Sequence, residues 1–414
     1  MIIRMLTQLF SRRCSVKKTI FILFSLLVIR QVVNVYFLPR SQHARHIHGK
    51  THTLKKYGAR SEVDSSGQFR TRKFFVASEA LVWDKVAEDD VTIVTHSSVS
   101  DLHHLVGMAE RWEGPISVAV FSTDISLFAS SVSNLRRCFP LVKQHVTFHL
   151  VTTIAPGKAE ISNDETILKV PCGMVLHVTR NLEDESYSSD DNPAYPINIL
   201  QNEALKGSIT KYILTLNVDL MPNANLLKNF KLFTDAIEDD AAIQNVYILP
   251  DFEICDDDVH ETPKYKSEVL DLWREGKDLI RPYRYAMCRS CHNHGNYTKW
   301  RQILPSATNT LDSSYEVEFR YPWQPFYISS RDVPLYDEGI LIPASLSRAT
   351  QLCELNIIGY KFMVLSDGFV VRRGFTTEIK PLEMGIENPQ TKSQFKELEQ
   401  ILKERHPSSQ NTCF

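Results

Sequence analysis

In the stretch Tyr212-Ile-Leu-Thr-Leu-Asn-Val-Asp-Leu-Met-Pro222 an apolar run passes directly into a turn that carries a carboxylate. The run from Tyr212 to Leu216 predicts a strand that is buried on both faces, as strands of helix-covered parallel sheets are. In such sheets ligands bind at the carboxyl ends of the strands. Asn217 and Asp219 follow the strand at that end. The stretch therefore predicts an α/β protein with its functional site at this turn.

Predicted strands and helices alternate on both sides of this stretch. Further strands are expected at 91–95, 116–121 and 146–151, and helices at 102–112, 127–138, from Pro196 past Leu205, and at 395–405. The alternation predicts one α/β domain with a Rossmann-like mixed, largely parallel sheet. We place this domain at residues 89–405, followed by a C-terminal tail at 406–414.

Composition excludes several classes of protein. The chain has 414 residues, of which 43% are hydrophobic and 23% charged, so a packed core is feasible and global disorder is excluded. The 47 Lys and Arg balance 49 Asp and Glu, for a formal charge of -2. This balance argues against nucleic acid as a partner, because phosphate binding usually leaves a basic excess. No repeat with a period of about 20–50 residues occurs, which argues against a solenoid or a propeller.

The N-terminal residues predict a membrane anchor. Residues 1–18 carry five Lys or Arg and no acid, and 20 largely apolar residues follow at 19–38. As a helix they span about 30 Å, enough to cross a bilayer, with Arg30 reaching the interface through its long stem. A cleaved signal peptide with its apolar part at 19–29 is the alternative, but no small-x-small cleavage site follows. The basic flank would form a cytosolic tail, and residues 39–88 a luminal stem.

One glycosylation sequon and the cysteines agree with a luminal location. Asn296-Tyr297-Thr298 is the only N-glycosylation sequon. Seven of the eight cysteines would be luminal, namely Cys138, Cys172, Cys255, Cys288, Cys291, Cys353 and Cys413. An oxidising compartment would pair most of them, and the odd number leaves at least one unpaired. Cys288 and Cys291 also match a haem or zinc pattern, but no second Cys/His pair follows, so we favour disulfides.

Several segments with specific residue patterns occur in collinear order between residues about 90 and 405. They lie at 94–101, 110–121, 195–204, 217–222, 288–291 with 296–298, 323–327, 336–338, 353–355 and 368–375. In this order they resemble the glucuronyltransferase branch of the LARGE-type glycosyltransferases, glycosyltransferase family forty-nine. The resemblance implies a GT-A-type nucleotide-sugar transferase domain, and a type II Golgi membrane protein with its catalytic domain in the lumen. It also implies manganese and a UDP-sugar donor, with Tyr195 and Asn198 lining the donor pocket.

The implied reaction is the inverting transfer of glucuronic acid from UDP-glucuronate. The implied acceptor is a xylose-ended O-mannosyl glycan on a glycoprotein of the α-dystroglycan type. Inversion needs a carboxylate that takes the proton of the acceptor hydroxyl. Asp337 and Glu338 match the family's acidic pair, and we favour Asp337 as the base, with an exposed loop acid as an equal alternative. Trp323 and Tyr327 could stack on a sugar ring, although buried core aromatics are the preferred interpretation.

Departures from the family pattern fall on the metal-binding positions. The family's Asp-x-Asp is Asn217-x-Asp219 here, and Arg372 stands where the resemblance implies a metal-binding histidine. Arginine has no lone pair to offer a metal. The family's arginine in the segment at 195–204 is Gln201 here, so this position offers no cation to a glucuronate carboxylate.

Three hypotheses account for these departures. In the family two Asp, a neutral His and a divalent cation sum to zero charge, and Asn217, Asp219 and Arg372 sum to zero without a metal. Arg372, with Arg373, could therefore replace the cation beside the diphosphate and make the enzyme metal-independent. Alternatively, Asp219 and the carbonyl oxygen of Asn217 bind manganese weakly. The third hypothesis is a lapsed, non-catalytic protein that binds or scaffolds an active glycosyltransferase in the lumen.

Overall fold

The structure is a computed structural model that describes residues 61–154, 167–182, 195–237, 244–276, 278–285, 295–307, 310–339, 346–376 and 389–414. The predicted cytosolic tail, membrane span and first part of the stem lie outside these residues, as do Cys288 and Cys291. None of the helices within the described ranges is both long and apolar enough to cross a membrane.

The described residues form two sheets and a set of helices. The strands are β1 (Ser61–Val63), β2 (Phe69–Val76), β3 (Val91–Ser98), β4 (Ile116–Phe121), β5 (Val146–Thr153), β6 (Tyr212–Thr215), β7 (Leu220–Pro222), β8 (Asn245–Leu249), β9 (Asp251–Ile254), β10 (Ile280–Pro282), β11 (Ser313–Val317), β12 (Phe326–Ser330), β13 (Lys361–Leu365) and β14 (Val370–Arg373). The helices are α1 (Glu79–Val82), α2 (His104–Trp112), α3 (Ile125–Cys138), α4 (Pro140–His145), α5 (Cys172–Arg180), α6 (Ile197–Lys206), α7 (Leu226–Asp235), α8 (Lys266–Glu275), α9 (Tyr297–Gln302), α10 (Ser347–Ile357) and α11 (Pro389–Arg405), with a 3-10 turn at Ser100–His103.

The large sheet is mixed, with a parallel centre. Its strand order is β1-β2-β5-β4-β3-β6-β12-β8-β13-β11. The neighbours from β5 to β6 and the pair β8–β13 run parallel, and the other pairs run antiparallel. The prediction of an α/β sheet is confirmed, but "largely parallel" holds only for its centre. The antiparallel strands were not predicted because some, such as Ser313-Ser-Tyr-Glu-Val317, contain too few apolar residues to indicate a strand.

Two apolar layers cover the central strands, one on each face. Alternate residues of β4 belong to different clusters, with Val118 and Val120 in one and Ala119 and Phe121 in the other. Side chains alternate between the faces of a strand, so the two clusters lie on opposite faces. Helices α2 and α3 pack into the first cluster, whereas α6, α10 and α11 pack into the second. This double burial explains why the central strands are continuous apolar runs.

The folded sheet begins before the predicted boundary at residue 89. Strand β2 pairs antiparallel with β5, and Phe69 lies opposite Thr153. Phe69, Phe75 and Val76 are buried in the two clusters. The later part of the predicted stem, 39–88, is therefore part of the sheet. Charged residues between its apolar ones, as in Arg70-Thr-Arg-Lys73, conceal the strand in the sequence.

Two disulfides connect described residues, and one of the described cysteines is free. Cys138 pairs with Cys172, and Cys353 of α10 pairs with Cys413, whereas Cys255 is free and buried. The backbone N–H of Tyr321 also donates to the carbonyl of Cys413 at 2.7 Å. The predicted C-terminal tail, 406–414, is therefore fixed to the domain. Helix α11 buries its apolar residues against the same region, as its amphipathic pattern predicts.

The small sheet lies beside the turn that follows β6. Its order is β10-β9-β14-β7. Strand β14 lies between β9 and β7, so that Arg372 is opposite Glu253 on one side and Leu220 on the other. Because Leu220 directly follows Asp219, this register places the Arg372 side chain beside the carboxylate of the turn.

His149 of β5 is a core histidine with both ring nitrogens engaged. The backbone N–H of Phe74 donates to Nδ1 at 2.9 Å, and Nε2 lies 3.0 Å from Ser117 Oγ. Burial, and less strongly the charge of Lys73, lowers the pKa of His149 to about 3. The imidazole is therefore neutral in the folded protein near pH 7.

We predict that His149 makes the folded protein less stable in acid. The unfolded histidine binds a proton below about pH 6.5 and the folded one only near pH 3, so stability is lost as the pH falls between these values. From pH 7 to pH 5 this residue should lower the unfolding free energy by about 2 kcal/mol. Urea denaturation at both pH values should show a smaller pH effect for His149→Gln than for His260→Gln, a variant at an exposed histidine. Equal pH effects in the two variants would refute this assignment.

Candidate functional site

The candidate site lies at the carboxyl ends of two parallel central strands. Strand β6 pairs with β3, with Thr215 opposite Val94. The turn after β6 carries the half-buried Asn217 and Asp219. His96 lies near the carboxyl end of β3. The predicted location of the site, at the turn after Tyr212–Leu216, is therefore where polar side chains from several elements meet.

Asn217 is held from both sides by residues that the sequence did not indicate. Its amide nitrogen donates to the hydroxyl of Tyr283 at 3.0 Å, and its carbonyl oxygen accepts from Arg348 Nη2 at 3.0 Å. Burial raises the pKa of Tyr283 to about 12, so its hydroxyl is neutral and can accept this bond. Both polar ends of the Asn217 side chain are thus committed to protein partners.

Asp219 forms an ion pair with Arg372, and Arg372 also approaches a second carboxylate. Arg372 Nε lies 2.8 Å from Asp219 Oδ2, and its Nη1 lies 3.7 Å from Glu253 Oε1. The Glu253 side chain is completely buried. Arg281 donates to Glu253 Oε2 through Nε at 3.0 Å, and the backbone N–H of Thr376 donates to the same oxygen at 3.1 Å. Two guanidinium groups and two carboxylates therefore alternate across the small sheet.

This set of residues does not fit a divalent cation. Manganese and similar hard cations need several oxygen ligands, mostly carboxylates. Here the turn has one carboxylate, which Arg372 occupies, and one amide oxygen, which Arg348 occupies. Within the described ranges no three His, Cys, Asp or Glu residues are grouped so that they could hold a metal ion. The carboxylate of Asp219 is instead paired with the guanidinium of Arg372.

Arg373 points away from this cluster. Its Nε donates to Asp256 Oδ1 at 2.7 Å, and its Nη2 donates to the carbonyl of Val259 at 2.9 Å. Arg373 therefore clamps the loop at 256–260 and takes no part at Asp219. Of the two adjacent arginines in the sequence hypothesis, the structure brings only Arg372 to the turn.

His96 and Tyr195 form a second part of the site. The Tyr195 hydroxyl lies 2.8 Å from His96 Nδ1, and Tyr195 also packs edge-on against Phe121. Burial, and then the charge of Arg348, lowers the pKa of His96 to about 4, against the opposing effect of Asp219. His96 is therefore neutral near pH 7. Its buried Nε2 has no hydrogen-bond partner among the described residues.

Hydrogen bonds from helix α6 hold the acidic pair, Asp337 and Glu338, at the site. Asn198 Nδ2 donates to the carbonyl of Asp337 at 2.6 Å, while Asn202 Nδ2 donates to Glu338 Oε1 at 2.7 Å. Asn202 also accepts from the backbone N–H of Tyr336 at 2.8 Å. The Glu338 carboxylate is thus engaged, whereas Asp337 Oδ1 accepts, among the described residues, only from the backbone N–H of Gly339.

Helix α10 meets α6 at the same place. The hydroxyl of Ser347 donates to Gln201 Oε1 at 2.8 Å and also bonds Asn198 Oδ1. Arg348, the next residue, reaches the turn at Asn217. The site therefore joins α6, α10, the acidic loop and the strand-end turn into one contiguous group.

Trp323 and Tyr327 belong to the apolar core. Both side chains are completely buried, and the Tyr327 hydroxyl bonds Gln351. The preferred interpretation as core aromatics is confirmed, and stacking on a sugar is excluded for both.

One sequence pattern could have revealed more of the site. Spacings of three and four residues place Asn198, Gln201 and Asn202 on one face of a helix.

Comparison with known proteins defines the class of this α/β protein as the glycosyltransferases. The family model described as "Glycosyl-transferase for dystroglycan" matches residues 90–407, which include every site residue described above. The chain belongs to this glycosyltransferase family.

Several relatives span most of the chain. Human "Beta-1,4-glucuronyltransferase 1" is 30% identical over 85% of this chain and 83% of its own length. The Danio rerio protein of the same name is 29% identical over 98% of this chain and 100% of its own length. Human "Xylosyl- and glucuronyltransferase LARGE1" is 23% identical over 77% of this chain and 36% of its own length. The chain is thus related to glucuronyltransferases and to LARGE.

A solved structure of S. aureus TarS residues 1–349 in complex with UDP is also similar. It is 12% identical over 78% of this chain and 67% of that chain, with a TM-score of 0.34. This likeness is too distant to bear on the site.

The sequon of Asn296 lies on the surface at the start of α9, where a glycan can be attached. Asn296 is exposed, and its side-chain oxygen accepts from the backbone N–H of Lys299 at 3.2 Å. An N-linked sugar is attached through the amide nitrogen and leaves this capping oxygen in place. The exposed side chain is therefore compatible with the predicted modification.

We predict that the chain carries one glycan at Asn296 when it passes through the secretory pathway. Thr298→Ala should abolish the glycosidase-sensitive gel shift and keep the helix cap, whereas Thr298→Ser should retain the glycan. Asn296→Gln should abolish the shift and also cost about 1 kcal/mol of stability through the lost cap. A shift that persists in Thr298→Ala would disprove the assignment.

Proposed function

We propose that this protein is an inverting GT-A-type glycosyltransferase that transfers glucuronic acid from UDP-glucuronate to a xylose-ended glycan on a glycoprotein. Sugar transfer follows from the family, and relatives named β-1,4-glucuronyltransferase 1 support the donor. The description "for dystroglycan" supports a glycoprotein acceptor. The basic and apolar N-terminus supports a single-pass anchor in the Golgi membrane, with the described domain in the lumen.

The observation that carries the proposal is the ion pair between Asp219 and Arg372 at the strand-end turn. A divalent cation in such a site neutralises the diphosphate of the leaving group. Arg372 supplies positive charge at the same turn, and its planar guanidinium can bind two phosphate oxygens. The Nε of Arg372 pairs with Asp219, whereas the Nη2 of Arg372 donates to no described residue. We therefore assign Arg372 to the diphosphate of UDP, in place of a metal.

Asp337 is proposed as the base of the reaction. The acceptor hydroxyl loses its proton to the Asp337 carboxylate while its oxygen attacks the anomeric carbon of the sugar. The bond from that carbon to the diphosphate breaks on the opposite face, and the electron pair leaves with UDP beside Arg372. In-line attack inverts the configuration. Asn198 and Asn202 hold the acidic loop in position for this step.

We predict that transfer from UDP-glucuronate to a β-xyloside does not require metal. The purified full chain should keep at least about half of its activity in EDTA relative to manganese, because Arg372 supplies the positive charge. Product formation in the two buffers measures this directly. Activity that disappears in EDTA and returns with manganese would reject the role of Arg372 and favour weak metal binding at Asp219.

We also predict that the double variant Asn217→Asp with Arg372→His loses activity. It removes the positive charge beside the diphosphate and adds a negative one, so transfer in EDTA should fall at least about tenfold. Arg373→His is the matched control, because the Arg373 side chain bonds only the loop at 256–260 in the part of the chain that the structure describes. It should stay within about threefold of the unmodified chain. A rise in manganese-dependent activity of the double variant would instead indicate a lapsed metal enzyme.

A third prediction separates the two candidate bases. Asp337→Asn should lower kcat by about 10²–10⁴-fold, the usual contribution of a general base. Glu338→Gln should stay within about tenfold, because its carboxylate is already bonded to Asn202. Measurements of kcat at saturating donor compare the two. If Glu338→Gln is the more damaging change, the base is Glu338.

A non-catalytic luminal binding partner is the second candidate function. The poor fit of the turn to a divalent cation favours it, since only one carboxylate remains there. Such a protein would still bind UDP-sugars but transfer none of them in either buffer. A panel of donors tested for both binding and turnover distinguishes this candidate from an active enzyme.

A further inference from the structure

Arg348 is a buried arginine that has no carboxylate partner within the described ranges. The residue is 9% exposed. Nη1 donates to the carbonyl of Gln324 at 3.1 Å and Nη2 to Asn217 Oδ1 at 3.0 Å, both neutral acceptors. The guanidinium stacks over the ring of Phe326 at 3.9 Å. Among the described residues Nε has no hydrogen-bond partner, and no carboxylate lies within ion-pair distance.

A buried positive charge of this kind is costly unless an anion compensates it. Two neutral oxygens and an aromatic face recover only part of the lost hydration. Tyr283 remains a neutral phenol and His96 a neutral imidazole, and the carboxylate of Asp251 acts on Arg348 only from beyond ion-pair distance. An anionic group of a ligand would complete this environment.

The position of Arg348 separates it from the diphosphate region. Arg348 lies on the α6 side of the turn, next to Ser347, which bonds both Asn198 and Gln201. Arg372 lies on the small-sheet side of the turn, on Asp219. The two arginines therefore contact different residues of the turn, Asn217 and Asp219. A ligand with two separate anionic groups matches this arrangement.

We propose that Arg348 binds the carboxylate of the sugar that is transferred, and so selects a uronic acid donor over uncharged hexose donors. The free Nε–H and a neighbouring Nη–H form a planar fork that matches the two oxygens of a carboxylate. A single carboxylate also balances the single charge of Arg348, whereas a diphosphate would bring two charges into aromatic, largely buried surroundings. This assignment rests on the proposed function, since it concerns the same donor.

The test is binding of three donors to the full chain, measured by calorimetry without an acceptor. UDP, UDP-glucose and UDP-glucuronate share the nucleotide and diphosphate, and only the last carries a carboxylate. The unmodified chain should bind UDP-glucuronate at least about tenfold more tightly than UDP-glucose. Arg348→Gln should weaken UDP-glucuronate binding about 30–100-fold and change the binding of the other two less than about threefold. Arg274→Gln, at an exposed arginine of α8, is the control and should change none of them.

Three results would overturn the assignment. Equal weakening of all three ligands in Arg348→Gln would mean that Arg348 binds the diphosphate. Unchanged UDP-glucuronate binding would mean a purely structural role. An unmodified chain that binds UDP-glucose as tightly as UDP-glucuronate would mean that no carboxylate is recognised.

Arg348→Lys keeps the proposal testable if Arg348→Gln does not fold, as judged by circular dichroism and thermal melting. Lysine retains the charge but loses the fork, so UDP-glucuronate binding should weaken about tenfold with UDP binding unchanged. Unchanged binding of UDP-glucuronate by this variant would contradict bidentate recognition.

The binding test uses no acceptor and is therefore independent of the transfer assay. Selective binding of UDP-glucuronate by a chain that transfers no sugar would reject only the proposed function. Transfer without a change in selectivity on loss of Arg348 would reject only the present assignment.

Discussion

The site depends on the burial of one carboxylate, that of Glu253. A completely buried carboxylate requires positive partners, and Arg281 and Arg372 supply them from the two neighbouring strands. Arg372 is thereby held where its Nε also meets Asp219 at the end of β6. Removal of Arg372 would leave Glu253 with less compensating charge and Asp219 without its partner. The ion pairs thus connect the small sheet with the turn of the large one.

Neutral polar residues organise the other half of the site. Asn198, Gln201 and Asn202 extend from one face of α6 and bond the acidic loop and the first residue of α10. Buried amides position their partners through directional bonds without adding charge. The arginines at the turn therefore carry the positive charge of the site, and the two acids of the loop contact α6.

The sequence revealed the parts of the fold that have local patterns. Strands β3, β4, β5 and β6 are continuous apolar runs, and the structure places them at 91–98, 116–121, 146–153 and 212–215, close to the predicted bounds. Strands β2 and β11 escaped prediction because charged or polar residues interrupt their apolar ones. The turn at Asn217 and Asp219 was predicted, since it follows a buried strand. Arg348, Tyr283 and Glu253 were not, because no periodicity marks a side chain whose partner lies far away in the chain.

The α/β pattern, the family resemblance and the position of the candidate site at one strand end could be predicted locally, because each depends on residues that are adjacent in the chain. The partners of those residues follow from the three-dimensional fold alone. It paired Asp219 with Arg372, enclosed Asn217 between Arg348 and Tyr283, and turned Arg373 toward the loop at 256–260. These contacts depend on strand register and burial across long sequence separations, which local residue patterns do not encode.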